Sequence, residues 1–221
     1  MTEEKRLVRS FGRIKSRKLS NHKQDLYENL LPKYLFDEGD KGFLNDKELV
    51  LEVGFGFGDF TFELAKNNPN NNIIAGETHI NGIVNLLSKL EVEPLENLRV
   101  FKDDIRLLIE KLPENIFSKI YILFPDPWPK AKHYKRRLIN KEFVDLISSK
   151  MKKGGKLIIA TDHDSYKEWI MSVMVDRGDF NWEASKQEDW EKFPSDWVIT
   201  KYQKKAEREG RTSVILNFSK S

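Results

Sequence analysis

The stretch of this sequence best equipped for chemistry is FPDPWPKAKHYKRR, from Phe124 to Arg137. Prolines at 125, 127 and 129 restrict alternate backbone angles, so Asp126 and Trp128 between them are expected to be held rigidly. Rigid placement suits group transfer, because orientation alone removes several kcal/mol from a barrier. A proline-rich turn over a core tryptophan accounts for Trp128 but not for an aspartate fixed among prolines. Lys130, Lys132, Lys135, Arg136 and Arg137 follow with no acid among them, and His133 and Tyr134 are interleaved. Cations mixed with an aromatic suit a phosphate backbone carrying unstacked bases. A solvated helix face has a similar composition; the position directly beside Asp126 favours nucleic acid.

A second stretch, LEVGFGFGDF (Leu51 to Phe60), sets glycines at 54, 56 and 58 directly behind an apolar run that ends in an acid. Glycines at that density weaken regular structure, so something must approach the backbone closely there. The spacing is a poor match to a dinucleotide fingerprint, which needs its third glycine later. It reads acid-x-G-x-G-x-G and resembles motif I of class I S-adenosylmethionine-dependent methyltransferases. A cofactor without a pyrophosphate does not need the helix N-terminus as its main anion site. It needs backbone room for an amino-acid moiety and a nearby carboxylate, and Glu52 suits its ammonium end. Glu77, ending the next strand-like run, is placed to accept from ribose hydroxyls. Asp104, or its neighbour Asp103, would lie near the adenine.

These residues need a scaffold, and the sequence alternates to supply one. ELVLEV, NIIAGE, LRVFKD, KIYILF and KLIIAT are short, nearly unbroken apolar runs, the pattern of strands buried on both faces. DFTFELAKN, HINGIVNLLSKL, IRLLIEKL and NKEFVDLISSKM lie between them and read as helices, the last expected to cap at Gly154-Gly155. Such alternation predicts an α/β fold with a parallel sheet covered on both faces. Ligands of doubly wound sheets sit beyond the carboxyl ends of the strands at the switch point, where both stretches fall. Ahead of the first strand, residues 22–36 predict an amphipathic helix kinked or divided at Pro32, and Glu38 to Asn45 reads as a linker. Toward the end, Asp164 to Asp176 predicts a helix, NWEAS a short strand, then a long irregular stretch, and TSVILNF a closing strand. Trp182, Trp190 and Trp197 are expected to pack under this tail rather than stack on bases.

The chain has 221 residues, no cysteine, four histidines without ligand spacing, and a net charge of +3. Disulfides, thiolate metal sites and cysteine nucleophiles are therefore excluded, including the nucleophile of RNA cytosine-5 methylation. A metal-free protein of the cytoplasm is expected, with no membrane span, since no apolar run approaches the ~20 residues one needs. Residues 1–23 carry eight Lys/Arg against Glu3 and Glu4, a net of +6, which leaves −3 for the other 198 residues. A cationic arm on a mildly acidic body suggests a polyanionic partner.

FPDPWPKAKHYKRRLI resembles the signature of the bacterial single-subunit tRNA (guanine-N7-)-methyltransferase family. The similarity runs from about Val8 to Phe218. RSFGR at 9–13 is similar to the family's basic start, and LEVGFGFGDF with GETH at 76–79 to its cofactor motifs. NLRVFKDD, ATDH at 160–163 and TKYQKKAEREGR at 200–211 continue it.

The resemblance implies a class I methyltransferase, Rossmann-like α/β fold. Its mostly parallel seven-stranded sheet would have the last strand antiparallel, in a domain over 46–221 behind a basic arm and helix over 1–45. It implies S-adenosylmethionine contacts from Glu52, Gly54, Gly56, Gly58, Glu77, Asp104 and Asp126, with Asp126 also catalytic. Substrate contacts would come from Lys130, Asp162, Thr200, Lys201, Tyr202 and Gln203. RNA contacts would come from Lys132, His133, Tyr134, Lys135, Arg136 and Arg137, and from Arg9 and Arg13 in the arm. The implied partner is tRNA, at position 46 of the variable loop, and the implied state a monomer or weak homodimer. Gln203 departs from the family's usual Glu, and an amide loses the charge-assisted part of such a contact. Two other readings stand beside this one. A nicotinamide-dependent oxidoreductase fits Glu77 but not the glycine spacing, and a nonenzymatic RNA-binding module fits the arm and loop but not the acids.

Overall fold

In the computed structural model, residues 18–221 are described, apart from 38, 46 and 196. The strands are β1 (Glu48–Val53), β2 (Asn71–Gly76), β3 (Leu98–Phe101), β4 (Phe117–Leu123), β5 (Met151–Thr161), β6 (Phe180–Trp182) and β7 (Val214–Lys220). They form one sheet in the order β3-β2-β1-β4-β5-β7-β6, in which β7 runs antiparallel to both its neighbours. The order reverses between β1 and β4, and that switch point lies beneath both chemically equipped stretches. The expected doubly wound sheet with its last strand antiparallel is observed.

Helices cover both faces. They are α1 (Asn21–Asp25), α2 (Leu31–Tyr34), α3 (Lys41–Asn45), α4 (Asp59–Asn67) and α5 (Ile80–Val92), then α6 (Ile105–Ile109), α7 (Lys141–Lys150), α8 (Asp164–Met174), α9 (Glu188–Glu191) and α10 (Lys201–Arg208). Side chains of a strand alternate between faces. Leu49, Leu51 and Val53 accordingly join a core with residues of α6, α7 and α8, while Val50 joins another with Leu26 and residues of α2, α4 and α5. No described helix is long and apolar enough to cross a membrane.

Three expectations need correction, and one holds: the irregularity expected at Pro32 is a π-helical turn, Leu26–Leu30, that links α1 to α2, with Leu31 N–H reaching back to the Leu26 carbonyl. The wide turn makes room for a proline ring that would otherwise strike the preceding turn. The expected linker contains α3. Gly154-Gly155 does not cap α7, which stops at Lys150. The glycines instead lie in β5, where the strand advances from 151 to 156 while β4 advances from 117 to 119. A bulge of that kind needs a left-handed residue, and Gly154 has φ +76°. The expected irregular tail contains α9 and α10, whose mostly polar sequences carry little apolar signal. Residues 21–36 also share a core with the sheet, through Leu26, Leu31 and Tyr34 and a bridge from Leu35 to Val100, so packing is continuous across residue 45.

Candidate active site

A cavity of about 450 Å³ opens at the carboxyl ends of the central strands. Its wall brings together Gly54, Gly56, Glu77, Asp103, Asp104 and Asp126, which lie far apart in sequence, together with Trp128, Lys135, Arg136 and Tyr202.

The glycine loop is shaped from beneath. Gly54 and Phe55 N–H groups donate to the Gly76 carbonyl at the end of β2. Glu77 accepts from the amides of Gly56 (2.7 Å), Thr78 (2.8 Å) and His79 (2.9 Å), so one carboxylate ties the loop to the strand end. Gly54 has φ +74° and open space where a Cβ would stand. Its requirement is conformational, and the room it leaves faces the cavity. Gly58 differs from expectation. It does not line the cavity; a Cβ there would lie 2.7 Å from Leu86 Cβ, so this glycine lets α4 and α5 approach.

Two residues that support this loop escaped the sequence reading. A Cβ on Gly82 would lie 2.0 Å from the Gly56 carbonyl oxygen, and Asn85 donates to the Phe57 carbonyl at 2.7 Å. The signal was present: a glycine within the first turn of a helix costs stability and calls for a reason.

The acids do different work from one another. Glu52 is buried and accepts from Thr61 Oγ1 at 2.7 Å, and burial pushes its carboxyl up to about 8. It sits beneath Gly54, Phe57, Thr200, Lys201 and Tyr202 in a small second cavity. A group with that history of desolvation is mostly neutral at pH 7 and ionises when a cation arrives. Asp104 caps α6 through the Arg106 amide and holds the Arg106 side chain with both oxygens, at 2.8 and 2.6 Å. Asp103 accepts from the Asp104 amide.

Asp126 lies in the loop after β4, entered through Phe124 at φ +52° and left through Trp128 at φ +44°. Left-handed geometry at bulky residues is strained and persists only where surroundings enforce it. Among the described residues none donates a hydrogen bond to the Asp126 carboxylate. The side chain is open to the cavity, yet protein walls thin its hydration, and this desolvation raises its pKa above the ordinary aspartate value.

Arg137 explains what enforces the loop, and it overturns an expectation. It is 2% exposed. Its Nε donates to the Pro127 carbonyl at 2.9 Å, and its terminal nitrogens donate to the Ser165 carbonyl and Oγ, both at 3.1 Å. Its guanidinium carbon lies 3.8 Å from the Tyr134 ring centroid. A planar fork spent in this way cannot serve RNA; it fastens the Asp126 loop to α8. Tyr134 is likewise half-buried against Arg137 and Trp169. Lys130, Lys132 and Lys135 remain exposed on the short 3-10 segment Ala131–Arg136 and its flank. Arg136 stacks over Trp128 at 4.9 Å, and His133 meets the same ring edge-on. Desolvation and the cations Arg136, Lys132 and Lys130 hold His133 below its ordinary pKa, and thus neutral.

The expected substrate segment closes one side. Thr200 caps α10 by accepting from the Gln203 amide. Tyr202 lies over the glycine loop, where a Cβ on Gly56 would meet its ring at 2.9 Å, and Lys201 Nζ stands 4.1 Å from the Phe57 ring centroid. Burial, with the Glu77 and Asp126 charges, keeps the Tyr202 phenol protonated. Gln203 faces the other way: it is buried, and its Oε1 accepts from Trp197 Nε1 at 3.0 Å. Trp197 itself packs between Phe60 and Phe193. Asp162 is held by Arg211 Nε at 2.8 Å, and Arg211 also binds Glu209, so a second arginine, the last residue of the 200–211 stretch, organises this side. Arg9 and Arg13 lie outside the described residues, as does the rest of the arm through Arg17. Among the described residues no group of three His, Asp or Glu side chains is placed to hold a metal ion.

Comparison with known proteins adds to this geometry. Residues 46–216 match a family described as "Putative methyltransferase". A tRNA (guanine-N(7)-)-methyltransferase of Agrobacterium fabrum is 36% identical, over 99% of each chain. One of Zymomonas mobilis is 36% identical over 91% of this chain and 90% of its own. Among solved structures, the 16S rRNA methyltransferase KamB superposes with a TM-score of 0.59 at 17% identity, over 85% of this chain and 94% of that one. At that identity the likeness speaks for the fold alone.

Proposed function

This chain belongs to the tRNA (guanine-N7-)-methyltransferase family, and we propose that it moves a methyl group from S-adenosylmethionine to N7 of a guanosine in tRNA. The family resemblance suggests position 46 of the variable loop as the target. One observation carries the reading: the Asp126 carboxylate faces the same cavity as the glycine loop, with cations on the adjoining lip.

The residues present fit that cofactor. Glu77, Asp103 and Asp126 line the cavity as carboxylates that can accept from hydroxyl, amino and ammonium donors, while Asp104 is paired with Arg106 and the cations Lys135 and Arg136 stand on the Asp126 side. The first turn of α4, where a dinucleotide would place its phosphates, already holds Asp59, paired with Lys89. Glu77 and Asp104 would hold the ribose and adenine, and the Gly54–Gly56 backbone with Glu52 beneath would hold the amino-acid end. When bound, the cofactor supplies an electrophilic methyl group on a sulfonium.

Guanine N7 carries a lone pair and no proton, so the chain need not provide a general base. Asp126 has both carboxylate oxygens free to accept from the N1–H and N2 amino donors of guanine, which fixes the base. The purine gains positive charge as the methyl arrives, and the same carboxylate stabilises it in a cavity of low dielectric. Lys130, Lys132 and Lys135 would hold the flanking phosphates.

The test is incubation of an unmodified tRNA transcript with methyl-labelled cofactor, followed by borohydride–aniline cleavage to map N7-methylguanosine. Label at a single guanosine is expected. No incorporation, or label on another base atom, sinks the proposal.

A further inference from the structure

We propose that the outer face of α10 is a second RNA-binding ridge, which carries the phosphate backbone away from the cavity. The inference rests on the function proposed above and adds Lys204, Lys205 and Arg208 to the RNA footprint.

Lys201, Lys204, Lys205 and Arg208 stand at i, i+3, i+4 and i+7, so they share one face of the helix. All four are exposed, while Gln203 and Ala206 on the opposite side are buried. Tyr202, one residue into the helix, lines the cavity, so the stripe begins at the cavity mouth. Lys135 lines the same cavity as Tyr202, and Lys130 and Lys132 are exposed beside it in the chain.

Local stability accounts for only part of this arrangement: Lys201 lies over the Phe57 ring and Glu207 is exposed three residues after Lys204. Like charges three and four residues apart destabilise a helix. Cations in the last turn do favour the helix dipole, which suffices for Lys205 and Arg208. Lys201 and Lys204 belong to the first half, where positive charge opposes the dipole and where the helix has no acid in its first turn. Glu209 approaches Lys205 at 3.9 Å and is bound more closely to Arg211. No ion pair of Lys204 or Arg208 occurs among the described residues. A self-repelling row beside a site for a polyanion is stabilised when phosphates bind along it.

The test uses the full chain and an unmodified tRNA transcript, with affinity measured across a series of salt concentrations. K204A/R208A is expected to weaken tRNA binding about tenfold at 0.15 M salt and to flatten the slope of log affinity against log salt by about two. Affinity for S-adenosylhomocysteine should be unchanged. K47A/K153A removes two exposed lysines from the amino-terminal end of the sheet and controls for lost net charge. An unchanged slope in K204A/R208A, or an equal loss in the control pair, overturns the ridge. Methyl transfer by the unaltered chain is read separately: if tRNA binds in the predicted way without receiving a methyl group, the enzymatic reading fails and the ridge stands.

Discussion

The two loops that bound the cavity reach rigidity by opposite means. Residues 54–58 contain three glycines, and their shape comes from neighbours: the Gly76 carbonyl, the Glu77 carboxylate, Asn85, and the bare Cα of Gly82. Residues 124–129 contain three prolines and two left-handed bulky residues, and their shape comes from covalent restriction closed by the Arg137 fork. The glycine loop must let a ligand come close to its backbone, so side chains are removed and the backbone is tied down by hydrogen bonds. The proline loop must hold one side chain in place, so the backbone itself is stiffened. Damage to the first should therefore appear in cofactor affinity, and damage to the second in turnover.

The largest effect is expected at the group both loops serve. Asp126→Ala should lower kcat on the order of 10³-fold with the melting temperature little changed; unchanged initial rates at saturating cofactor and tRNA would remove Asp126 from the mechanism. Arg137→Lys replaces the fork with a point charge and should lower kcat on the order of 10–100-fold. Its tRNA affinity and salt slope should match the unaltered chain, whereas a weakened affinity with normal kcat would restore Arg137 to the RNA surface. Gly82→Ala drives a methyl into the Gly56 carbonyl and should raise the cofactor Kd about tenfold by calorimetry, with kcat at saturation nearly kept. If instead kcat falls and Kd holds, the division between the two loops is wrong.

The smallest expected effect concerns stability. The Glu52 carboxyl is raised to about 8 in the folded protein from an ordinary value of 4.5. The stability tied to its buried neutral form is therefore complete below about pH 4.5 and is lost as pH rises toward 8. Glu52→Gln keeps an acceptor for Thr61 without the charge. It should melt higher than the unaltered chain by several degrees at pH 8.5, with a cost relieved on the order of 3 kcal/mol, and the gap should close toward pH 5. A gap independent of pH would show that Glu52 is not buried neutral.

Much of the scaffold was legible because its signals are local. Unbroken apolar runs of strand length, alternating with amphipathic stretches, identify a parallel sheet covered on both faces, and the acids that end the strands then fall at its carboxyl edge. The errors also have local causes. Gly154-Gly155 follows a helix and resembles its cap, but only strand pairing with β4 reveals a bulge. The helix α10 carries few apolar residues, and what it packs against is set by the rest of the tail. Arg137 ends a row of cations and reads like them; its burial depends on Ser165, 28 positions away.

The residue types alone determined the class of chemistry: no thiol, a glycine turn without a dinucleotide spacing, and an aspartate among prolines followed by cations. These are properties of covalent geometry and charge that hold in any conformation. Which cations face outward, which glycines serve a ligand and which serve helix packing, and whether Gln203 points toward substrate or core were decided only by tertiary structure. Such assignments depend on which atoms compete for the same space, and that competition exists only once distant segments have met.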